Sequence, residues 1–181
     1  MDFQELSIPG LWLITPELIR DHRGFFRRSF CEDSFRAHGL CPASPQGNIS
    51  VNPTRGTLRG FHFQSAPHGE AKTLTCVTGS IFNVVVDLRP HSPTFLKWEA
   101  LTLDDANCKS LHVPEGCANC YLTTSENTII HYYMGNKYVP NAAGGFRYDD
   151  PAFKIPWPFA PVLVSDKDLA YAPLDPASLK A

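Results

Sequence analysis

The chain has 181 residues, 43% hydrophobic and 19% charged, which is enough apolar content to bury a core in one domain spanning 1–181 and too much for a disordered chain. Lys plus Arg is 16 and Asp plus Glu is 18, and the formal charge of -2 lacks the basic footprint of a nucleic-acid binder. No apolar run approaches the roughly 20 residues of a membrane helix, and the opening MDFQELSIPG carries acidic residues where an export signal has basic ones. A soluble, cytoplasmic protein is expected.

In chain order, strand-like runs of apolar, aromatic and β-branched residues fall at 11–14 (LWLI), 73–77 (TLTCV), 80–88 (SIFNVVVDL), 98–103 (WEALTL), 110–113 (SLHV) and 128–133 (TIIHYY). Prolines and glycines punctuate the chain between them. In the run at 80–88, Phe82, Val84, Val86 and Leu88 form a wholly apolar face, and Ile81, Asn83, Val85 and Asp87 a mixed one. Helical signal is thin. Residues 32–38 make two turns closed by Gly39, and Ser165 caps a single turn at 165–168. The proline-rich tail from Asp150 (DPAFKIPWPFAPVL) carries too many aromatics for a linker and is expected to wrap the sheet in an extended path.

Cysteines stand at 31, 41, 76, 108, 117 and 120. Without an export signal they are read as reduced thiols. Cys117 and Cys120 form a lone C-x-x-C, and a structural zinc site needs a second pair or added histidines.

Many short strands with a glycine-rich centre fit an all-β, double-sheet jelly roll with a few short helices, the architecture that includes cupins. Metal-binding cupins place two histidines one residue apart and a third after a P-x-G-x-x-H turn. Here the segment Gly60-Phe61-His62-Phe63-Gln64 has Gln64 at the second histidine position, and Pro114-Glu115-Gly116-Cys117-Ala118-Asn119 ends on Asn119. Neutral amides are poor ligands for transition metals, so a metal-dependent cupin is disfavoured and His62 is left free to move protons.

The residues then match a known family. DHRGFF at 21–26, QGNIS at 46–50, GTLRGFHFQ at 56–64, EAK at 70–72, VDLR at 86–89 and SPTF at 92–95 come in its order and spacing. So do VPEG at 113–116, YVP at 138–140, DDP at 149–151, IPWP at 155–158 and SDKD at 165–168. The chain resembles the dTDP-4-dehydrorhamnose 3,5-epimerase family, the metal-free cupins of deoxysugar biosynthesis. The resemblance implies a cupin-type double-stranded β-helix, no cofactor and no metal. It also implies a nucleotide-linked 4-keto-6-deoxyhexose substrate, inverted at C3, C5 or both, and a homodimer whose N-terminal strands cross to the partner.

By that resemblance His62 is the base, Asp168 its carboxylate partner, Lys72 the cation at the ketone oxygen and Tyr132 the acid on the opposite face. Taken alone, Lys72 reads as an exposed strand lysine and Asp168 as a surface cap. Tyr133 leaves the acid's register open by one, and the spacing to Tyr138 favours Tyr132. Arg23 and Arg59 match arginines of the nucleotide or its phosphates, Tyr138 a tyrosine stacked on the base, and Gln46 and Asn48 polar residues of the nucleotide pocket. Arg23, in the early segment, is expected to serve the neighbour's site.

Four positions depart from the family: Arg28 and Ala143 where glutamates are usual, Gly47 where an aspartate is usual, and Asn119 where a histidine is usual. Three are expected near nucleotide and phosphate contacts, which leaves the base open between thymidine, cytidine, guanosine and uridine. Asn119 keeps a hydrogen-bonding group but cannot titrate. Competing readings are a 3,4-ketoisomerase on the same substrate class and a non-catalytic nucleotide-sugar-binding cupin.

Overall fold

The computed structural model describes residues 1–40 and 44–180. Cys41 lies outside the described residues. In order the chain forms β1 (Asp2–Glu5), β2 (Trp12–Thr15), β3 (Ile19–Asp21), β4 (Gly24–Phe26), α1 (Glu32–Ala37), β5 (Gln46–Asn52), β6 (Thr57–Gln64) and β7 (Lys72–Thr78). There follow β8 (Ser80–Asp87), β9 (Trp98–Asp104), β10 (Ser110–Val113), β11 (Cys117–Thr123), β12 (Thr128–Met134), β13 (Ala143–Gly145), β14 (Leu163–Val164) and α2 (Asp166–Ala170).

Two sheets face each other. One runs β1-β2-β10-β7-β12-β5 and the other β13-β6-β11-β8-β9, with β14 added parallel to β6; β3 and β4 form a separate hairpin. All other pairings are antiparallel, so one layer of side chains from each sheet points into a shared interior. That interior holds Leu74, Cys76, Ile81, Val85, Leu103, Leu111, Tyr121 and Ile130, with Tyr132 packed against it. The six strand-like runs read from the sequence all fall on observed strands, each within a residue or two at its ends. Gly39, at φ +69°, follows α1 as its left-handed stop.

Both faces of β8 are covered. The mixed face turns inward with Ile81 and Val85, and the wholly apolar face packs beneath the tail with Phe146, Phe153, Ile155, Trp157 and Phe159. Two indoles pin the tail: Trp98 Nε1 donates to the Phe153 carbonyl at 2.9 Å and Trp157 Nε1 to the Tyr148 carbonyl at 3.1 Å. The Asp150 carboxylate closes the wrap, accepting from Leu174 N at 2.7 Å and Ala152 N at 2.8 Å.

Cys31, Cys76, Cys108, Cys117 and Cys120 are free thiols. Cys117 faces the interior between the sheets and Cys120 the layer under the tail, so the C-x-x-C cannot converge on one ion. Burial pushes the Cys76 and Cys117 thiols up to about 12. Among the described residues no helix is long and apolar enough to cross a membrane.

Candidate active site

His62 owes its position to a bulge. Opposite β11, Asn119 pairs with His62 and Tyr121 with Arg59, so three steps on β6 span two on β11. Arg59 and His62, three apart, therefore both face inward, where strict alternation would have opposed them. Gly60 makes this possible: at φ +127° a Cβ there would lie 2.6 Å from the Asn119 carbonyl oxygen and the Cys120 Cα.

Behind His62 lies Asp168. Its side chain is only 4% exposed, and Oδ1 sits 2.7 Å from His62 Nε2. Asp168 Oδ2 accepts from Gly60 N at 3.3 Å. The short helix α2 is held at both ends: Ser165 Oγ accepts from Asp168 N at 3.1 Å, and Arg147 Nη1 donates to the Leu169 carbonyl at 2.8 Å. Burial pushes the Asp168 carboxyl up, but the bonds from His62, Gly60 and Ser165 outweigh it and leave it below the usual range. A carboxylate so held takes Nε2–H and fixes the tautomer, leaving Nδ1 as the acceptor of the ring.

Lys72 opens β7 as an ion pair with buried Glu70, Nζ to Oε1 2.7 Å. Gln64 secures Glu70 in turn, donating from Nε2 to Oε2 at 2.9 Å, while its Oε1 accepts from Val139 N at 2.6 Å. The side chain at the second cupin-histidine position thus orients the lysine's partner. Glu70 belongs to the EAK motif at 70–72. Its i+2 acid–base spacing to Lys72 at a strand start is the signal available in sequence.

Alternation along β12 turns Tyr132, and not Tyr133, toward the interior. Ile130, Tyr132 and Met134 point inward; Tyr133 is on the outer face, its hydroxyl 3.2 Å from Ser29 Oγ and its ring against Phe30. Burial and the nearby Glu70 charge push the Tyr132 phenol up, Arg59 opposing, so it stays protonated at neutral pH.

These groups share one opening. A cavity of about 190 Å³ is lined by Ser50, Arg59, His62, Lys72, Asn119 and Tyr132 among others. An adjoining one of about 320 Å³ shares His62, Lys72 and Tyr132 and adds Gln46, Asn48 and Tyr138. Gln46 Oε1 accepts from Tyr138 N at 2.5 Å, tying those two together. Ala143, one of the four departures, lines the second cavity as well, as do Lys167 and Tyr171.

Imidazole, carboxylate, ammonium and phenol thus meet around one opening in a double-sheet barrel. A family model described as dTDP-4-dehydrorhamnose 3,5-epimerase matches residues 5–175. The chain belongs to the dTDP-4-dehydrorhamnose 3,5-epimerase family. It is 41% identical over 175 residues to the dTDP-4-dehydrorhamnose 3,5-epimerase of Mycolicibacterium smegmatis, covering 96% of this chain and 85% of that one. The crystal structure of the Bacillus anthracis dTDP-4-dehydrorhamnose 3,5-epimerase with TDP and PPi bound matches with TM-score 0.92 and 34% identity, over 96% of this chain and 99% of that one. A 3'-monoepimerase from Streptomyces bikiniensis in complex with dTDP-quinovose matches with TM-score 0.89 and 33% identity, over 96% and 88%.

Against the family pattern, two predicted residues lie away from their own chain's cavity. Arg23 sits at the turn of the β3–β4 hairpin, its side chain 78% exposed and paired with Asp21. Arg28 lines a separate hollow with Glu17, Ile19 and Phe26. Gly47 is also outward, beside His131 and Tyr133, because inward and outward residues alternate along β5. Of the four departures, Asn119 and Ala143 line the cavities and Arg28 and Gly47 do not.

Proposed function

We propose that this member of the epimerase family inverts C3, C5 or both of a nucleotide-linked 4-keto-6-deoxyhexose. The observation that carries the proposal is the convergence of a carboxylate-backed His62, Lys72 and Tyr132 on one cavity. The ketone acidifies its neighbouring C–H bonds. His62 Nδ1 takes such a proton, and the electron pair delocalises into an enolate. The Lys72 ammonium stabilises the oxygen charge as it develops. Tyr132, on a facing strand, returns a proton to the opposite face and regains one from solvent, to which His62 gives up the proton it took. Arg59 supplies a fork for the diphosphate, and Tyr138, with Gln46 and Asn48, the nucleoside end.

Solvent deuterium tests the roles. With dTDP-4-keto-6-deoxyglucose, His62→Ala is expected to abolish both inversion and wash-in, and Tyr132→Phe to stop inversion while His62 still exchanges. Exchange at the wild-type rate in His62→Ala would remove His62 as the base. Product NMR separates epimers from a 3,4-ketoisomer, and thermal shifts with TDP, CDP, GDP and UDP rank the bases.

A homodimer completes the proposal. Ile19, Phe25 and Phe26 of the hairpin and Ile49, Val51 and Val77 of the outer sheet face are all exposed, Phe26 at 66% and Ile49 at 69%. An apolar set of this kind, beside the edge strand β5, suits a second copy, and the same contact carries Arg23 toward the neighbour's cavity.

A further inference from the structure

Asn83 sits in the middle of β8 with no exposed surface, on the interior face with Ile81 and Val85. Its Nδ2 donates to Asn119 Oδ1 at 2.9 Å. Its Oδ1 is buried and accepts nothing, alone in this among the buried side-chain nitrogens and oxygens of the described residues. Reversing both amides would only exchange this unpaired oxygen for an unpaired N–H, and buried N–H groups are left without partners more rarely than oxygens. The observed direction is the one to expect.

The consequence falls on Asn119. With its Oδ1 engaged by Asn83, the NH2 end is the one presented to the cavity that Asn119 lines together with His62, Lys72 and Tyr132. Asn119 is the direct cross-strand neighbour of His62, so the two side chains stand side by side on the inner face. We propose that Asn83 is a positioning residue: it locks Asn119 as a neutral hydrogen-bond donor to a hydroxyl or keto oxygen of the sugar lying against His62. The proposal rests on reading the cavity as a keto-sugar site. An amide neither takes nor gives a proton at any working pH. Beside the base it grips a sugar oxygen without competing for the proton, and the acid–base work on this face falls to His62 alone.

A double-mutant cycle tests it, using dTDP-4-keto-6-deoxyglucose and reading both inversion and deuterium wash-in. Asn83→Leu and Asn119→Ala are each expected to lower kcat/KM roughly 10- to 100-fold. The double variant should be no worse than the weaker single, because Asn83 acts through Asn119. TDP affinity should stay within about twofold in all three, since the contact is to the sugar. Multiplicative losses would overturn the proposal, as would parallel losses of TDP affinity. Should Asn83→Leu not fold, Asn119→Asp decides: it keeps the oxygen that Asn83 binds and removes the donor. Activity of Asn119→Asp within about threefold of wild type overturns the proposal, and a loss matching Asn119→Ala supports it. A wild type showing neither inversion nor wash-in defeats the epimerase reading and this proposal together. An active wild type with multiplicative losses defeats this proposal alone.

Discussion

At the scale of single residues, the site is built from charges that are each held by another group. Lys72 is useful only while its ammonium faces the cavity, and buried Glu70 and Gln64 set that direction. Lys72→Met is expected to cut kcat about 10²–10³-fold, the loss typical of one donor to a developing oxyanion. Gln64→Leu frees Glu70 and should lower kcat about tenfold with little change in TDP affinity, because the lysine loses its orientation and not its charge. Steady-state kinetics beside TDP titration checks both. Asp168→Asn removes the anion behind His62, and turnover should fall by about 10²-fold or more while circular dichroism stays unchanged.

At the scale of elements, a short cap and a bulge position His62 and its carboxylate partner. Ser165→Ala deletes the cap of α2 and is expected to cost about 1 kcal/mol in denaturant unfolding. Activity should fall further than that loss explains, since the same helix carries Asp168. Gly60→Ala forces a Cβ against the β11 backbone and should destabilise by more than about 2 kcal/mol. The end of β8 supplies a pH-dependent element. Asp87 accepts from Arg89, Ser92 and Thr94; burial pushes its carboxyl up, but these bonds win and hold it at about 2, against an ordinary 3.8. A carboxyl lowered on folding adds stability that is complete above about pH 4 and is lost as pH falls toward 2. The stabilisation is about 2 kcal/mol. Thermal melts of Asp87→Asn should show a lower Tm at pH 7 and a flatter decline between pH 4 and pH 2.

At the scale of the whole molecule, the interior between the sheets holds both core and cavity, and the apolar exterior is covered by the tail on one sheet and only in part, around Phe30 and Phe35, on the other. The tail covers the β8–β11 layer. The outer face of β5 and the hairpin stay exposed. Placing a charge there, as in Ile49→Asp or Phe26→Asp, is expected to shift sedimentation from dimer to monomer and to weaken TDP binding. Full TDP affinity in a monomer would show that Arg23 serves no neighbouring site.

Much of this was readable from residues alone. Period-2 patterns and turn residues mark strands wherever a run is apolar, as at β8 and β12, and the Ser165 cap and Gly39 stop are local chemistry. Ordered motifs mark His62, Lys72 and Asp168 because each sits in a short segment of distinctive composition, and Tyr132 follows from its spacing to the 138–140 motif. The β6–β11 bulge, the inward turn of both Arg59 and His62, and the outward turn of Gly47 were not legible, because facing depends on how two strands far apart in sequence align. The same holds for the amide pair of Asn83 and Asn119, 36 residues apart. Local rules decide which residues form a strand. Only the packed sheets decide which unpaired donors and acceptors end up facing one another.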